Sequence, residues 1–253
     1  MRALLSLMCL ASACSLAAGS LLLGLGDQAT PPYKLGDATL PATRPGVAVE
    51  LLQRAAANCD VSMRIKLLPG TRMLKELESG DLDAAGMLSY TAERAAYAAY
   101  PLQNGKPNEA QRLATLSYVL YARQGHRLLW DGNTLQGLTR KVGTNLGWSI
   151  NLDLERLGIP AEPVSSVEQN FMKLQAGRID AYATHEPLGD SYLSRHDGLN
   201  LVKLQPPLVA KPYYLIFSRS YAARNPVLAS CLWRQVGTLR DKLYQQRMHD
   251  YLD

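Results

Sequence analysis

The segment LKELESGDLDAAGMLS, residues 74–89, decides the fold because the chain repeats its plan in FMKLQAGRIDAYATHE, residues 171–186. Each copy has an amphipathic helical pattern, a glycine that ends it, an aliphatic residue, and an Asp-Ala pair that opens a strand. The identical positions are Leu77 and Leu174, Gly80 and Gly177, Asp83 and Asp180, and Ala84 and Ala181. This repeat predicts two similar α/β lobes.

The residues around the first copy alternate between strand and helix patterns. SLLLGLG (residues 20–26) and MRIKLLP (63–69) are typical of buried strands, and GVAVELLQRAAANC (46–59) has helical spacing. The helix in TRMLKELESG should begin with Thr71 as its N-cap, and SSVEQ (165–169) is a capping box for the second helix. Strands alternating with helices predict an α/β sheet with crossover helices.

The composition excludes several classes of protein. A chain of 253 residues with 47% hydrophobic and 19% charged residues is globular. The net charge is +5, but the basic residues are scattered, so we expect no nucleic-acid partner. The histidines are isolated and no CxxC, HExxH, GxSxG, P-loop or GxGxxG motif occurs, so we expect no metal and no cofactor.

The N-terminus predicts export. Residues 1–19 have a basic start, a short leucine-rich core and small residues in ASACSLAAG, the pattern of a signal peptide cleaved near residues 13–19. The alternative is an uncleaved membrane anchor. Cys14 is a weak lipoprotein signal, because Ala11 stands where such signals usually have Leu. Cleavage leaves Cys59 and Cys231, which an oxidising compartment permits to pair.

Candidate ligand contacts follow the predicted strands, because ligands of α/β sheets bind beyond the carboxyl ends of strands. The first copy leads into Met87 and Ser89 and then Arg94, while the second leads into His185 and Glu186.

A third strand, in KVGTNLGWS (residues 141–149), runs into a turn containing Gly147, Trp148 and Ser149. Ser149 is placed to cap the following helix, and the backbone amides of such a turn attract anions.

The segments GDLDAAGMLSYTAERAAYAAYP (80–101), KVGTNLGWS, LQAGRIDAYATHE (174–186) and YYLIFSRS (213–220) resemble the family 3 solute-binding proteins. These are periplasmic amino-acid receptors of ABC importers, and the resemblance covers nearly the whole mature chain. It implies a type II α/β fold of two lobes, each a sheet flanked by helices, with a ligand cleft between them. The implied lobes are residues 20–116 with 213–253, and residues 117–212.

The same resemblance implies a monomeric periplasmic receptor that captures a small carboxylate-bearing ligand, an amino acid or a related compound, for an ABC permease. It implies no catalysis. In the family, the arginine at the position of Arg94 pairs with the ligand carboxylate, and Ser89 supplies a hydroxyl or amide. Ser149 and its turn face that carboxylate from the second lobe. Tyr33 is either an aromatic wall or ordinary core packing.

The chain departs from the family where a ligand ammonium is usually bound. His185 replaces the usual aspartate and Glu186 follows it, while Gly86 or Met87 replaces a polar partner. Either Glu186 takes over the ammonium, or the ligand has no amine, or His185 is an ordinary surface histidine. Arg72 is either a second cation of the cleft or a solvated surface residue.

The resemblance leaves two other functions open. Some relatives with this fold are cyclohexadienyl dehydratases, in which Glu186 would be the proton-donating acid; others are orphan sensor receptors. The family topology also returns the C-terminal helix, which contains Cys231, to the first lobe near Cys59. The resemblance therefore implies a disulfide between them, with two separately buried thiols as the alternative.

Overall fold

The computed structural model describes residues 19–196 and 198–251. The predicted signal peptide lies outside these residues, except for Gly19. Eight α-helices and fourteen strands are formed in the described part of the chain. The helices are α1 (Val47–Ala57), α2 (Gly70–Ser79), α3 (Ala92–Tyr97), α4 (Ile150–Arg156), α5 (Val167–Gln175), α6 (Glu186–Ser194), α7 (Arg219–Arg224) and α8 (Pro226–Arg247).

Short 3₁₀ turns add Glu109–Gln111 and Met248–Tyr251. The strands are β1 (Gly19–Gly26), β2 (Val61–Leu68), β3 (Ala84–Ser89), β4 (Ala98–Ala99), β5 (Leu102–Gln103), β6 (Lys106–Pro107), β7 (Ala114–Arg123), β8 (Leu129–Trp130), β9 (Leu135–Gln136), β10 (Val142–Asn145), β11 (Ala161–Val164), β12 (Ala181–His185), β13 (Leu201–Lys203) and β14 (Val209–Ser218).

The strands form one continuous sheet in the order β2, β1, β3, β14, β7, β12, β10, β11. Strands β1, β2 and β3 are parallel at one end, and β10, β11 and β12 are parallel at the other. The long strands β7 and β14 lie between these groups and pair antiparallel with each other. We call the half around β1, β2 and β3 the first lobe and the half around β10, β11 and β12 the second lobe.

The boundaries expected for the lobes, at residues 116/117 and 212/213, fall inside β7 and β14. We expected a sheet for each lobe, and the two sheets join because β7 and β14 run through the junction as paired strands. Each half has its own apolar core. Helices α1 and α8 cover the first lobe, and the second lobe is filled by a cluster that includes Tyr121, Phe171 and Tyr182.

The repeated segments adopt the predicted helix, turn and strand. Gly80 ends α2 with a φ of +85°, and Gly177 lies just beyond α5 with a φ of +68°. Glycine adopts such positive φ values more readily than other residues. The prediction for Thr71 is wrong: α2 begins at Gly70 with Pro69 as its N-cap, so Thr71 lies inside the helix. Ser166 caps α5 as predicted, accepting a hydrogen bond from Gln169 N at 3.3 Å.

A disulfide joins Cys59, just beyond α1, to Cys231 in α8, with their Cα atoms 6.1 Å apart. It links the two helices that cover the core of the first lobe. Among residues 19–196 and 198–251, no helix combines the length and apolar character that crossing a membrane requires.

Candidate functional site

The candidate site is a cavity of about 420 Å³ between the lobes, at the carboxyl ends of β1, β3, β10 and β12. This volume suits a small organic ligand. The polar part of its lining includes Asp27, Lys34, Ser89, Arg94, Tyr118, Ser149, His185 and Tyr213. Apolar side chains that include Leu25, Met73, Leu74, Leu88, Leu116, Val167 and Leu188 cover much of the rest.

Arg94 is a buried cation on the cavity wall. Thr91 caps α3 by accepting a hydrogen bond from Arg94 N at 3.1 Å, which places Arg94 in the first turn after β3. The Arg94 side chain donates from Nη1 to Ser89 O at 2.8 Å and from Nη2 to Gly147 O at 2.6 Å. The residue is 6% exposed. Its side-chain hydrogen bonds in the described chain go to carbonyl and hydroxyl oxygens, so its positive charge lacks a carboxylate partner there.

Ser149, in the second lobe, contacts Ser89, the residue to which Arg94 donates. Its Oγ accepts from Ser89 Oγ at 2.8 Å, and Lys211 Nζ donates to both Ser149 O and Ser149 Oγ at 3.2 Å. Lys211 also forms an ion pair with Asp153. The sequence prediction that the Ser149 side chain caps α4 is wrong, because these contacts engage its hydroxyl instead.

The turn before Ser149 lies close against the first lobe. Gly147 has a φ of +74°, and a Cβ added there would lie 3.3 Å from Leu74 Cδ1. Trp148 Nε1 would lie 3.8 Å from a Cβ added at Gly70. Gly147, Trp148 and Ser149 all line the cavity, so the structure brings together these three predicted residues and the Arg94–Ser89 pair.

His185 lies in a chain of neutral hydrogen-bonding groups. Its Nε2 is 2.5 Å from Tyr213 Oη, and Tyr213 Oη donates to Tyr118 Oη at 3.2 Å. The Trp148 ring stacks on the imidazole with centroids 4.6 Å apart. Burial, with smaller contributions from the positive charges of Lys211 and Arg94, lowers the pKa of His185 to about 3. His185 is therefore neutral at physiological pH and is not a surface histidine.

Glu186 does not line the cavity. It is the first residue of α6, and its Oε1 accepts from Lys203 Nζ at 2.7 Å. His185 ends β12 and faces the cavity, whereas the chain turns into α6 at Glu186 and its carboxylate lies outside the lining. Of the alternatives for this position, the structure does not support binding of a ligand ammonium by Glu186, and it does not place Glu186 where the proton donor of a dehydratase would lie.

Two other expected residues lie elsewhere. Arg72 pairs with Glu76, Nε to Oε1 at 2.8 Å, with its side chain 64% exposed, because the first turn of α2 directs it to solvent. Tyr33 packs against Tyr244, with ring centroids 6.1 Å apart, so it belongs to the core. Met87 lines the cavity as expected, with a φ of +59°.

The sequence reasoning missed polar residues of the lining, among them Asp27, Lys34, Tyr118 and Tyr213. Lys34 follows Tyr33 and is buried, which lowers the pKa of its ammonium to about 8, and Asp27 directly follows β1. Tyr118 and Tyr213 belong to β7 and β14. The strand-end rule applied to β1 would have found Asp27, whereas the tyrosines depend on the pairing of distant strands. The described residues contain no group of three or more His, Cys, Asp or Glu side chains suited to a metal ion.

Comparison with known structures identifies the fold. A substrate-binding protein of an amino acid ABC transporter has a TM-score of 0.67 and 16% identity, covering 90% of this chain and 98% of that chain. An ancestral arginine-binding protein bound to arginine has a TM-score of 0.69 and 18% identity, covering 93% and 99%. A histidine kinase sensor domain similar to periplasmic binding proteins has a TM-score of 0.72 and 20% identity, covering 92% and 96%.

No family model matches the sequence, and no curated protein matches it significantly. The structural likeness establishes the two-lobed α/β fold of periplasmic binding proteins, as the sequence predicted.

Proposed function

We propose that the protein is a periplasmic receptor that binds a small carboxylate-bearing solute between its lobes and delivers it to an ABC permease. The observation that carries this proposal is the buried Arg94 on the cavity wall, whose bonds to Ser89 and Gly147 join the two lobes. A buried guanidinium is costly unless an anion compensates it, and its planar fork fits a carboxylate. Closure of the lobes around the ligand requires no chemical step.

The comparison proteins support a solute-binding role, since one serves an amino acid ABC transporter and another binds arginine. The predicted signal peptide supports the periplasmic location. A sensor function is the second candidate, favoured by the likeness to a histidine kinase sensor domain. A dehydratase is disfavoured because Glu186 bonds to Lys203 outside the cavity.

A thermal-shift screen of the mature protein tests the proposal. Carboxylic acids of different size and shape should raise the melting temperature, and the corresponding carboxamides should not, because they lack the charge that Arg94 requires. Equal stabilisation by acids and amides would contradict carboxylate recognition. Uptake of a labelled hit by cells, with and without the receptor gene, then separates an importer subunit from a sensor.

A further inference from the structure

The side chains that lie with Arg94 at this end of the cavity are uncharged hydrogen-bonding groups. Tyr213 pairs in register with Ser89 on the neighbouring strand, and Arg94 donates to Ser89 O. His185 bonds to Tyr213, so the imidazole, the two tyrosine hydroxyls and the guanidinium lie around the same end of the cavity. All of these groups except Arg94 are neutral.

Two carboxylates near the cavity but outside its lining form ion pairs. Asp153 pairs with Lys211, and Glu186 pairs with Lys203 outside the cavity. Among the described residues, the cavity lining itself contains one carboxylate, Asp27, and two cations, Lys34 and Arg94. The lining therefore carries one net positive charge. A ligand with one net negative charge neutralises it, whereas a zwitterion leaves the positive charge in place.

We propose, building on the proposed function, that the ligand is a monocarboxylate with an uncharged oxygen beside its carboxylate, a 2-hydroxy or 2-oxo acid, and that His185 excludes α-amino acids. The ligand carboxylate pairs with Arg94, and its neutral oxygen bonds to the His185, Tyr213 and Tyr118 group. Because Tyr213 Oη donates to Tyr118 Oη, the neutral His185 donates from Nε2 to Tyr213, and its Nδ1, which takes part in none of the hydrogen bonds among the described residues, is an acceptor suited to a 2-hydroxyl. A 2-oxo oxygen accepts from a tyrosine hydroxyl of the same group instead.

An ammonium at the same position meets a different environment. It cannot accept a hydrogen bond from a tyrosine hydroxyl, and it lies near the positive charge of Arg94. A neutral imidazole offers at most one acceptor nitrogen and no countercharge. The low pKa of His185 keeps the imidazole neutral throughout the physiological range. The apolar side chains elsewhere in the lining suit an uncharged remainder of the ligand.

The test uses trios of acids that differ only at the second carbon: lactate, pyruvate and alanine; 2-hydroxyisocaproate, 2-oxoisocaproate and leucine; and phenyllactate, phenylpyruvate and phenylalanine. Calorimetry on the mature protein should show the hydroxy or oxo acid of the best trio binding about tenfold or more tightly than the amino acid. His185→Asp should reverse this order by restoring an anion, and His185→Asn, which is neutral, should preserve it.

The outcomes distinguish failure of the ligand class, of the role of His185 and of the proposed function. An amino acid that binds as tightly as its hydroxy and oxo counterparts overturns the inference but leaves carboxylate binding intact. Preference for the hydroxy or oxo acid that persists in a folded His185→Asp variant overturns the role of His185. If other carboxylates stabilise the protein and no trio does, the ligand class is wrong. If no carboxylate of any kind stabilises it, the proposed function itself fails.

Discussion

The two copies of the repeated segment use the same scaffold. In the first copy, Asp83 Oδ2 accepts from Leu22 N in the adjacent β1 at 2.8 Å. In the second copy, Asp180 Oδ2 accepts from Thr139 N and Arg140 N, both at 2.6 Å, just before the adjacent β10. Each aspartate thus fastens its own strand to the start of the neighbouring parallel strand.

The copies differ after the strand. Strand β3 leads into a hydroxyl-capped turn that buries the charge of Arg94, whereas β12 ends at the neutral His185. The two copies therefore share a scaffold but contribute different groups to the cavity. The first lobe contributes a cation, and the second contributes uncharged hydrogen-bonding groups. A ligand that bridges the lobes must satisfy both.

The largest expected effect is the loss of stability when the disulfide of the first lobe is removed. The disulfide joins residues with a sequence separation of 172, and the chain-entropy model gives about 4.7 kcal/mol for a 100-residue loop. Replacing Cys59 and Cys231 together by Ser should lower the free energy of unfolding by about 4–5 kcal/mol. Urea denaturation of the mature protein measures it, and reductant should reproduce the loss. Two free thiols in the denatured, unreduced protein would contradict the bridge.

The next prediction tests whether Arg94, in the first lobe, binds the carboxylate of the ligand. Arg94→Ala should weaken binding of the best carboxylate from the thermal-shift screen by about 3–5 kcal/mol, because it removes one partner of a buried charge pair. Arg94→Lys should recover part of the loss, since an ammonium lacks the guanidinium fork. Calorimetry measures both variants.

Arg72→Ala is the matched control for this experiment. It removes a first-lobe arginine that is exposed and paired with Glu76, so ligand affinity should stay within error of the unmodified protein. Equal affinity losses in the Arg94 and Arg72 variants would show that the effect comes from general charge and not from the site.

Much of this fold can be predicted from local patterns. The period of the apolar residues locates α1, β1, β2 and both copies of the repeat, because burial on one face leaves a regular signature. The joining of the two sheets through β7 and β14 is not predictable in this way. Their pairing is between distant segments, and nothing in either strand specifies the partner.

The residues of the site also fall into those that a local pattern predicts and those that depend on tertiary contacts. Arg94 and Ser89 follow from a motif, since a capped turn after a strand has a local signature. Glu186 was misplaced because a strand end does not reveal which of two consecutive residues faces inward; the packing of the imidazole against Trp148 decides it. The partner of His185, Tyr213, comes from β14, so that contact requires the tertiary structure.

A smaller effect should separate the two aspartates of the repeat. Burial alone would raise the pKa of Asp180, but the amides of Thr139 and Arg140 outweigh it and hold the pKa below its usual value. Asp180→Ala leaves both amides unpaired and should cost about 2–3 kcal/mol, whereas Asp83→Ala leaves one and should cost about 1–2 kcal/mol. Urea denaturation of both variants checks the order, and a larger loss at Asp83 would contradict it.

The last effect is the dependence of stability on pH that His185 contributes, which is small near neutral pH and grows as the solution becomes acidic. In the folded protein its pKa is about 3, mainly because of burial, whereas in the unfolded chain it should be about 6.5. Between these values the unfolded chain binds a proton that the folded protein does not. Stability should therefore be unaffected by His185 above about pH 6.5, and should fall by up to about 1.4 kcal/mol per pH unit as the pH falls toward 3.

Two variants isolate this contribution from that of the carboxylates, which also destabilise the protein in acid. His185→Gln removes the titrating group but keeps a neutral hydrogen-bonding side chain, so its stability should decline less steeply than that of the unmodified protein between pH 6 and 4. His249→Gln makes the same substitution at a histidine that lies outside the cavity lining, beside Asp250, with its side chain 75% exposed, and it serves as the control for removing an imidazole elsewhere in the protein. Urea denaturation at closely spaced pH values gives the slopes. If the His185→Gln slope equals that of the unmodified protein, the imidazole is not held neutral by burial, and the contrast between a charged first lobe and a neutral second lobe is wrong.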